Sequence, residues 1–199
     1  MMKLFTTLVI AFLITISGFS QTHTATIKTE AETYYNHMTA MNLDGVLDYM
    51  HPKMFEMASR EQMKAGMEQM FNSPQMKIEF ISNDVTSISD DMEEDGITYA
   101  VVFYNSKMRM TFLTEKDKPA EEQKAYLELM KSTMASQFGA ENVSVDEDTL
   151  SLVINNDSSM FAIKDPSFNG WKFLGNEENM TAFVNSVVPE RVRTALLKS

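Results

Sequence analysis

Hydrophobic spacing changes period near residue 76, and that change fixes the order in which helices and strands can be laid down. Before it, apolar side chains recur at helical intervals. Ile27, Ala31, Tyr34, Tyr35, Met38 and Met41 fall at i, i+4, i+7, i+8, i+11 and i+14, the single stripe of an amphipathic helix. Leu43, Val46, Leu47 and Met50 repeat at i, i+3, i+4 and i+7 behind Asn42, a residue type that caps helix N-termini. Pro52 stops that second helix, because the residue before a proline avoids the α region. Ser59 followed by Gln62 is a capping-box pair and predicts a third helix over Ser59–Phe71, with Met63, Met67 and Met70 on its apolar face.

After residue 76 the period is two. "MKIEF" (Met76 to Phe80) alternates, and Ile81 directly after Phe80 breaks the alternation as a bulge does. "SDDMEEDG" (Ser89 to Gly96) reads as an acidic turn. Ile97–Leu113 is a long strand, apolar on both faces in its first half and therefore central. In its second half Met108, Met110 and Phe112 oppose Lys107, Arg109 and Thr111. A helix is inserted over 117–139, opened by Asp117 and Pro119, striped by Leu127, Met130, Met134 and Phe138, and stopped by Gly139. Thr149–Ile154 and Ser159–Lys164 read as two strands joined by a turn at "NNDS", and "GWKFLG" as a last strand. Pro189 opens a short C-terminal helix expected to bury Val192, Ala195 and Leu196. Helices segregated from strands predict an α+β fold: N-terminal helices packed on a curved, mostly antiparallel sheet, a half-open cone.

Lys3, the apolar run Leu4 to Ile16 and the small residues Gly18 and Ser20 have the layout of a secretory signal peptide cleaved after Ser20. The run is shorter than the ~20 apolar residues of a membrane span. The expected product is a single domain, 21–199, periplasmic or secreted. The chain has a formal net charge of −11, which repels phosphate backbones and anionic membrane surfaces. Nucleic acid and membrane are therefore not expected partners. The absence of cysteine excludes thiol catalysis, thiolate metal sites and a lipid-modified cysteine.

"AETYYNHMTAMNLDGVLDYMHPKMFE" (Ala31 to Glu56) resembles the opening of the NTF2-like, cone-fold superfamily, which includes ketosteroid-isomerase-like and SnoaL-like proteins. There an aromatic-bearing helix is followed by a small-Asp pattern and a proline-marked turn. The late "GWKFL" strand fits too, and "PERVRTAL" is similar to the ends of small exported bacterial members. The resemblance spans nearly all of the mature chain except the insert. It implies a cavity between the first helix and the sheet, in a superfamily that holds isomerases, dehydratases, epoxide hydrolases and inactive members alike. The cavity candidates are Tyr34, Tyr35, Met38, Tyr104, Arg109 and Trp171. Of the two adjacent tyrosines, one is expected to point inward and the other to stack at the rim.

No catalytic residue is assigned. Tyr34 or Tyr35 matches the donor tyrosine of the isomerases, but where their aspartate base would be expected the chain reads "HPKMFEMASREQ". Arg109 has no acidic residue two positions away, so the hydrolases' Asp-Arg-Asp set is missing. His23, His37 and His51 have no metal-ligand spacing, and no metal or cofactor is expected. Met38/Met41, Met54/Met57 and Met63/Met67/Met70 resemble thioether sets for Cu(I), yet they share stripes with leucine, valine and tyrosine. Asp90 to Asp95 lacks the spacing of an EF-hand loop and reads as a solvated hairpin tip. The expectation is a non-enzymatic binding protein for a small apolar molecule or a protein partner, with a homodimer as an admissible assembly. The alternatives are a small isomerase or hydrolase using the cavity, and a methionine-based copper carrier.

Overall fold

The computed structural model describes the backbone of residues 18–198 and the side chains of 23–198. The expected signal segment up to residue 17 lies outside the residues so described, and at its expected junction, Ser20, only the backbone is described. Three helices come first: α1 (Gly18–Thr39), α2 (Leu43–Tyr49) and α3 (Arg60–Phe71). Then follow β1 (Met76–Ile88), β2 (Met92–Glu94), β3 (Ile97–Phe112), α4 (Ala120–Phe138), β4 (Val143–Asp146), β5 (Ser151–Lys164) and β6 (Lys172–Gly175). Helices α5 (Thr181–Val187) and α6 (Glu190–Leu196) close the chain. The strands form one antiparallel, open and curved sheet in the order β1-β3-β5-β4, with β2 on β3 and β6 on β5. The fold is α+β, as the change of period predicts.

Local chemistry explains the helix ends. Asn42 accepts a hydrogen bond from the Gly45 N–H at 3.2 Å. Ser59 and Gln62 form the reciprocal capping box. Gly139, at φ 91°, ends α4. Met50 and His51 are extended, so Pro52 does stop α2. The chain then makes a 3-10 turn over Pro52–Glu56, and the His51 N–H donates to the Phe173 carbonyl at 3.0 Å.

Alternation along the strands sorts their side chains onto two faces. On one face Ala100, Val102, Met160 and Ala162 pack under Ile27, Ala31 and Tyr35 of α1. Further along the same face Phe112, Leu152 and Ile154 pack under Leu127 of α4. The opposite face buries Tyr99, Val101, Phe161 and Ile163 against Val184, Val188, Val192 and Leu196 of the C-terminal helices. The first half of β3 is therefore covered on both faces, which is why its sequence is apolar throughout.

Several expectations need correction. "NNDS" is not a turn. Asn155, Asn156, Asp157 and Ser158 pair with Lys107, Ser106, Asn105 and Tyr104, so β5 is continuous. Its polar composition imitates a turn but is matched across the ladder, where the Asn105 amide donates to the Asp157 carboxylate at 2.8 Å. The real turn lies upstream. There Asp146 accepts from the Thr149 N–H at 3.1 Å, and Leu150 has φ 50°. The acidic segment is only partly turn: Met92–Glu94 pairs with β3, and the reversal is Asp95-Gly96, both at positive φ, as a type I′ hairpin demands. Met70 is exposed and Phe71 is the buried anchor of α3. Ala195 is exposed while Val192 and Leu196 are buried. Pro119 stands just before α4 as its cap rather than inside it. Strands β2 and β4 and helix α5 carried no sequence signal strong enough to be named.

Candidate functional site

Between the parts of the sheet covered by α1 and α4 lies a cavity of about 260 Å³. One wall is the α1 stripe. Tyr35 is the inward tyrosine, buried, with its ring centroid 5.0 Å from that of Tyr104 and its hydroxyl 3.4 Å from the Met160 sulfur. Tyr34, about 100° around the helix, lies against Phe173 and Tyr49 at centroid distances of 5.6 and 6.3 Å. It is half-buried and still contributes to the wall, as does Met38. Met50 and Met54 close the side formed by the chain after α2. Tyr104, Ser106 and Met108 of β3 make the floor, joined by residues of β1 and β5.

Five methionines line this space: Met38, Met50, Met54, Met108 and Met160. Thioethers are polarizable and unbranched, so such a wall adapts to varied apolar shapes. Lysine, arginine and histidine are missing from the lining. Its one carboxylate, Glu177, is exposed and sits at the rim. Burial pushes the pKa values of Tyr34, Tyr35 and Tyr104 up. For Tyr34 and Tyr35 the neighbouring Tyr104 and the charge of Glu177 push the same way. These hydroxyls are therefore neutral donors at any ordinary pH. The interior offers neutral hydroxyl and carboxamide groups and apolar contact.

Of the six residues named from sequence, the structure brings Tyr34, Tyr35, Met38 and Tyr104 to one cavity. Arg109 and Trp171 are not among its lining residues. Strand alternation puts Arg109 on the face opposite Met108, where its guanidinium lies 3.8 Å from the Asp146 carboxylate of β4. Trp171 is 1% exposed, packed in the α1 core, and its backbone N–H donates to Glu30 at 3.1 Å. Ser106 and Met108 were missed although their signal existed, since they follow Tyr104 at i+2 and i+4 on the same strand. Met160, Phe173 and Glu177 reach the cavity through the long-range pairing of β5 and β6.

The histidines have separate local roles. His23 makes a 2.6 Å contact with Asp91. His37 lies 3.0 Å from the Asn42 amide. His51 caps the 3-10 turn by accepting from the Lys53 N–H at 3.3 Å, with its ring edge-on to Phe168. Burial holds the His51 pKa below its ordinary value. A depressed folded-state pKa means the unfolded chain binds the proton first. Stability from this group is then complete above about pH 6.5 and is lost as pH falls through the lowered value. Urea midpoints should fall between about pH 7.5 and pH 5 in the parent protein, and fall less in His51→Asn, which keeps a capping acceptor. Equal falls in the two proteins would assign the loss to other groups.

No helix among the described residues is long and apolar enough to cross a membrane. Set against family models, curated proteins and solved structures, the chain finds no match in any of the three.

Proposed function

We propose that this protein is an exported, non-enzymatic, NTF2-like binding protein that takes a small apolar molecule into the cavity between α1 and the sheet. The observation that carries the reading is the character of the lining: aromatic and thioether side chains with the neutral Asn83, Ser106 and Asn156, and no ionisable group in the interior except tyrosines held neutral. General acid–base catalysis needs a group that titrates near the working pH, and raised tyrosines move away from that range. The cavity is larger than the roughly 150 Å³ that holds benzene in an apolar protein core, so a molecule of one ring with a short chain fits. The two β1 bulges, between Phe80 and Ser82 and between Val85 and Ser87, bend the sheet around α1 in a way that agrees with the cone-fold resemblance.

Native mass spectrometry of protein purified from its own host tests this directly. The expected result is a co-purifying small-molecule mass that is released on denaturation. A copper mass would instead favour a thioether carrier built from the five cavity methionines. Tyr35→Phe separates binding from catalysis. Loss of one neutral hydroxyl should weaken stability or affinity by at most ~1.5 kcal/mol. A hundredfold fall in a measured turnover, with the fold intact, would instead place that hydroxyl in a transition state.

A further inference from the structure

Strand register sets three polar side chains side by side across the cavity floor. Asn83 of β1 lies opposite Ser106 of β3, and Ser106 lies opposite Asn156 of β5. All three line the cavity. Two strand spacings make this rung about 10 Å across. Apolar and aromatic side chains flank it: Phe80, Met108 and Ile154 on one side, Val85 and Tyr104 on the other.

The bulge after Phe80 creates the rung. Phe80 pairs with Met108, and Ser82, not Ile81, pairs with Lys107. Without that extra residue Asn83 would fall opposite Asn105, on the other face of the sheet, because a slip of one residue inverts every side chain. On that other face Asn105 is already bonded to Asp157. The side chains of Asn83, Ser106 and Asn156 have no hydrogen-bond partner among the described residues, and the Asn83 Nδ2 is buried without an acceptor. A gap between two helices would explain polar residues that are hydrated. It does not explain a desolvated amide donor left unpaired, which is destabilising until something supplies the acceptor.

We propose that Asn83, Ser106 and Asn156 read the polar head of the bound molecule, and that this head is uncharged and of the amide, lactam or urea type. Two carboxamides and a hydroxyl offer donors and acceptors together, so their complement carries both. The apolar body then lies among Tyr34, Met38 and Met160. A carboxylate head would be desolvated without a counter-charge, since no cationic side chain lines the cavity and Glu177 stands at its rim. The inference rests on the small-molecule reading above and gives it a ligand class.

Calorimetric titration with four probes of one skeleton tests it: 4-phenylbutanamide, 4-phenylbutyl methyl ether, 4-phenylbutanoate and 4-phenylbutylamine. The amide should bind on the order of tenfold or more tighter than the ether, and the butanoate weakest. Asn83→Leu with Asn156→Leu should remove the amide's advantage, bringing the ratio of amide to ether affinity to within about twofold of one. Ser106→Ala, a smaller change that spares the fold, should reduce the same advantage. Equal binding of amide and ether overturns the rung's role and leaves apolar binding standing. Tightest binding of the amine or the butanoate also overturns it. If none of the four binds, the small-molecule reading itself fails.

Discussion

Trp171→Ala should lower the free energy of unfolding by about 3–5 kcal/mol, the range for deleting a fully buried aromatic side chain. Trp171 is 1% exposed and shares a core with Ile27 and Ala31 of α1 and Phe173 of β6. The Lys164 ammonium stands 5.9 Å from its ring centroid, and the His23 ring meets it edge-on at 6.0 Å. Removing the indole leaves a void between α1 and the sheet that rigid neighbours cannot close. Domains of this kind have about 5–15 kcal/mol in total, so the variant should remain folded in the cold and melt far below the parent. Urea unfolding reads the effect as a lower midpoint at unchanged slope. The same substitution should leave ligand affinity nearly unchanged under native conditions, because Trp171 does not line the cavity. A loss below about 1 kcal/mol, the level of an ordinary surface or partly exposed site, together with a sharp fall in affinity, would return Trp171 to the cavity wall.

That contrast marks how far the sequence could be read. Local signals predicted local structure well. The Ser59–Gln62 box, the Asn42 cap, the Gly139 stop and the Ile81 break each act through atoms within a few residues, so each was visible in a short window. The cavity residues on α1 were visible for the same reason, since helical phase alone groups Tyr34, Tyr35 and Met38. Arg109 was a misreading of a legible signal: alternation already set it opposite Met108. Trp171 was assigned by resemblance, and no periodicity near it distinguishes a core tryptophan from a lining one. The polar stretch in β5 was illegible for a physical reason. A run of asparagine, aspartate and serine favours turns through its own side-chain hydrogen bonds. Only the facing run Asn105-Ser106-Lys107 of β3, about fifty residues away in sequence, makes an extended ladder the better outcome. The rung Asn83–Ser106–Asn156 needs that pairing and the β1 bulge at once, so no window of sequence contains it.

The floor of the cavity offers the other large test. Ser106→Phe should abolish binding of a neutral probe such as 4-phenylbutyl methyl ether, by a hundredfold or more, while the fold survives. A phenyl group needs a space comparable with the roughly 150 Å³ that accommodates benzene, which is more than half of the 260 Å³ here. Overpacking normally costs about 1–3 kcal/mol because a filled core has nowhere to yield. Here the added ring enters empty space lined by Met108, Met160 and Tyr104, so burial of its apolar area offsets the lost serine contacts. Phenylalanine also favours extended backbone, and Ser106 sits in mid-strand between Asn83 and Asn156. The melting temperature should therefore hold or rise as affinity disappears. Thr111→Phe is the matched control, since alternation places it on the opposite face of β3 with Lys107 and Arg109; it should leave affinity within about twofold, short of the effect of a single hydrogen bond at the top of its range. If Ser106→Phe binds the probe as the parent does, the molecule is held elsewhere. The space between α1 and the sheet would then be a packing gap between two cores.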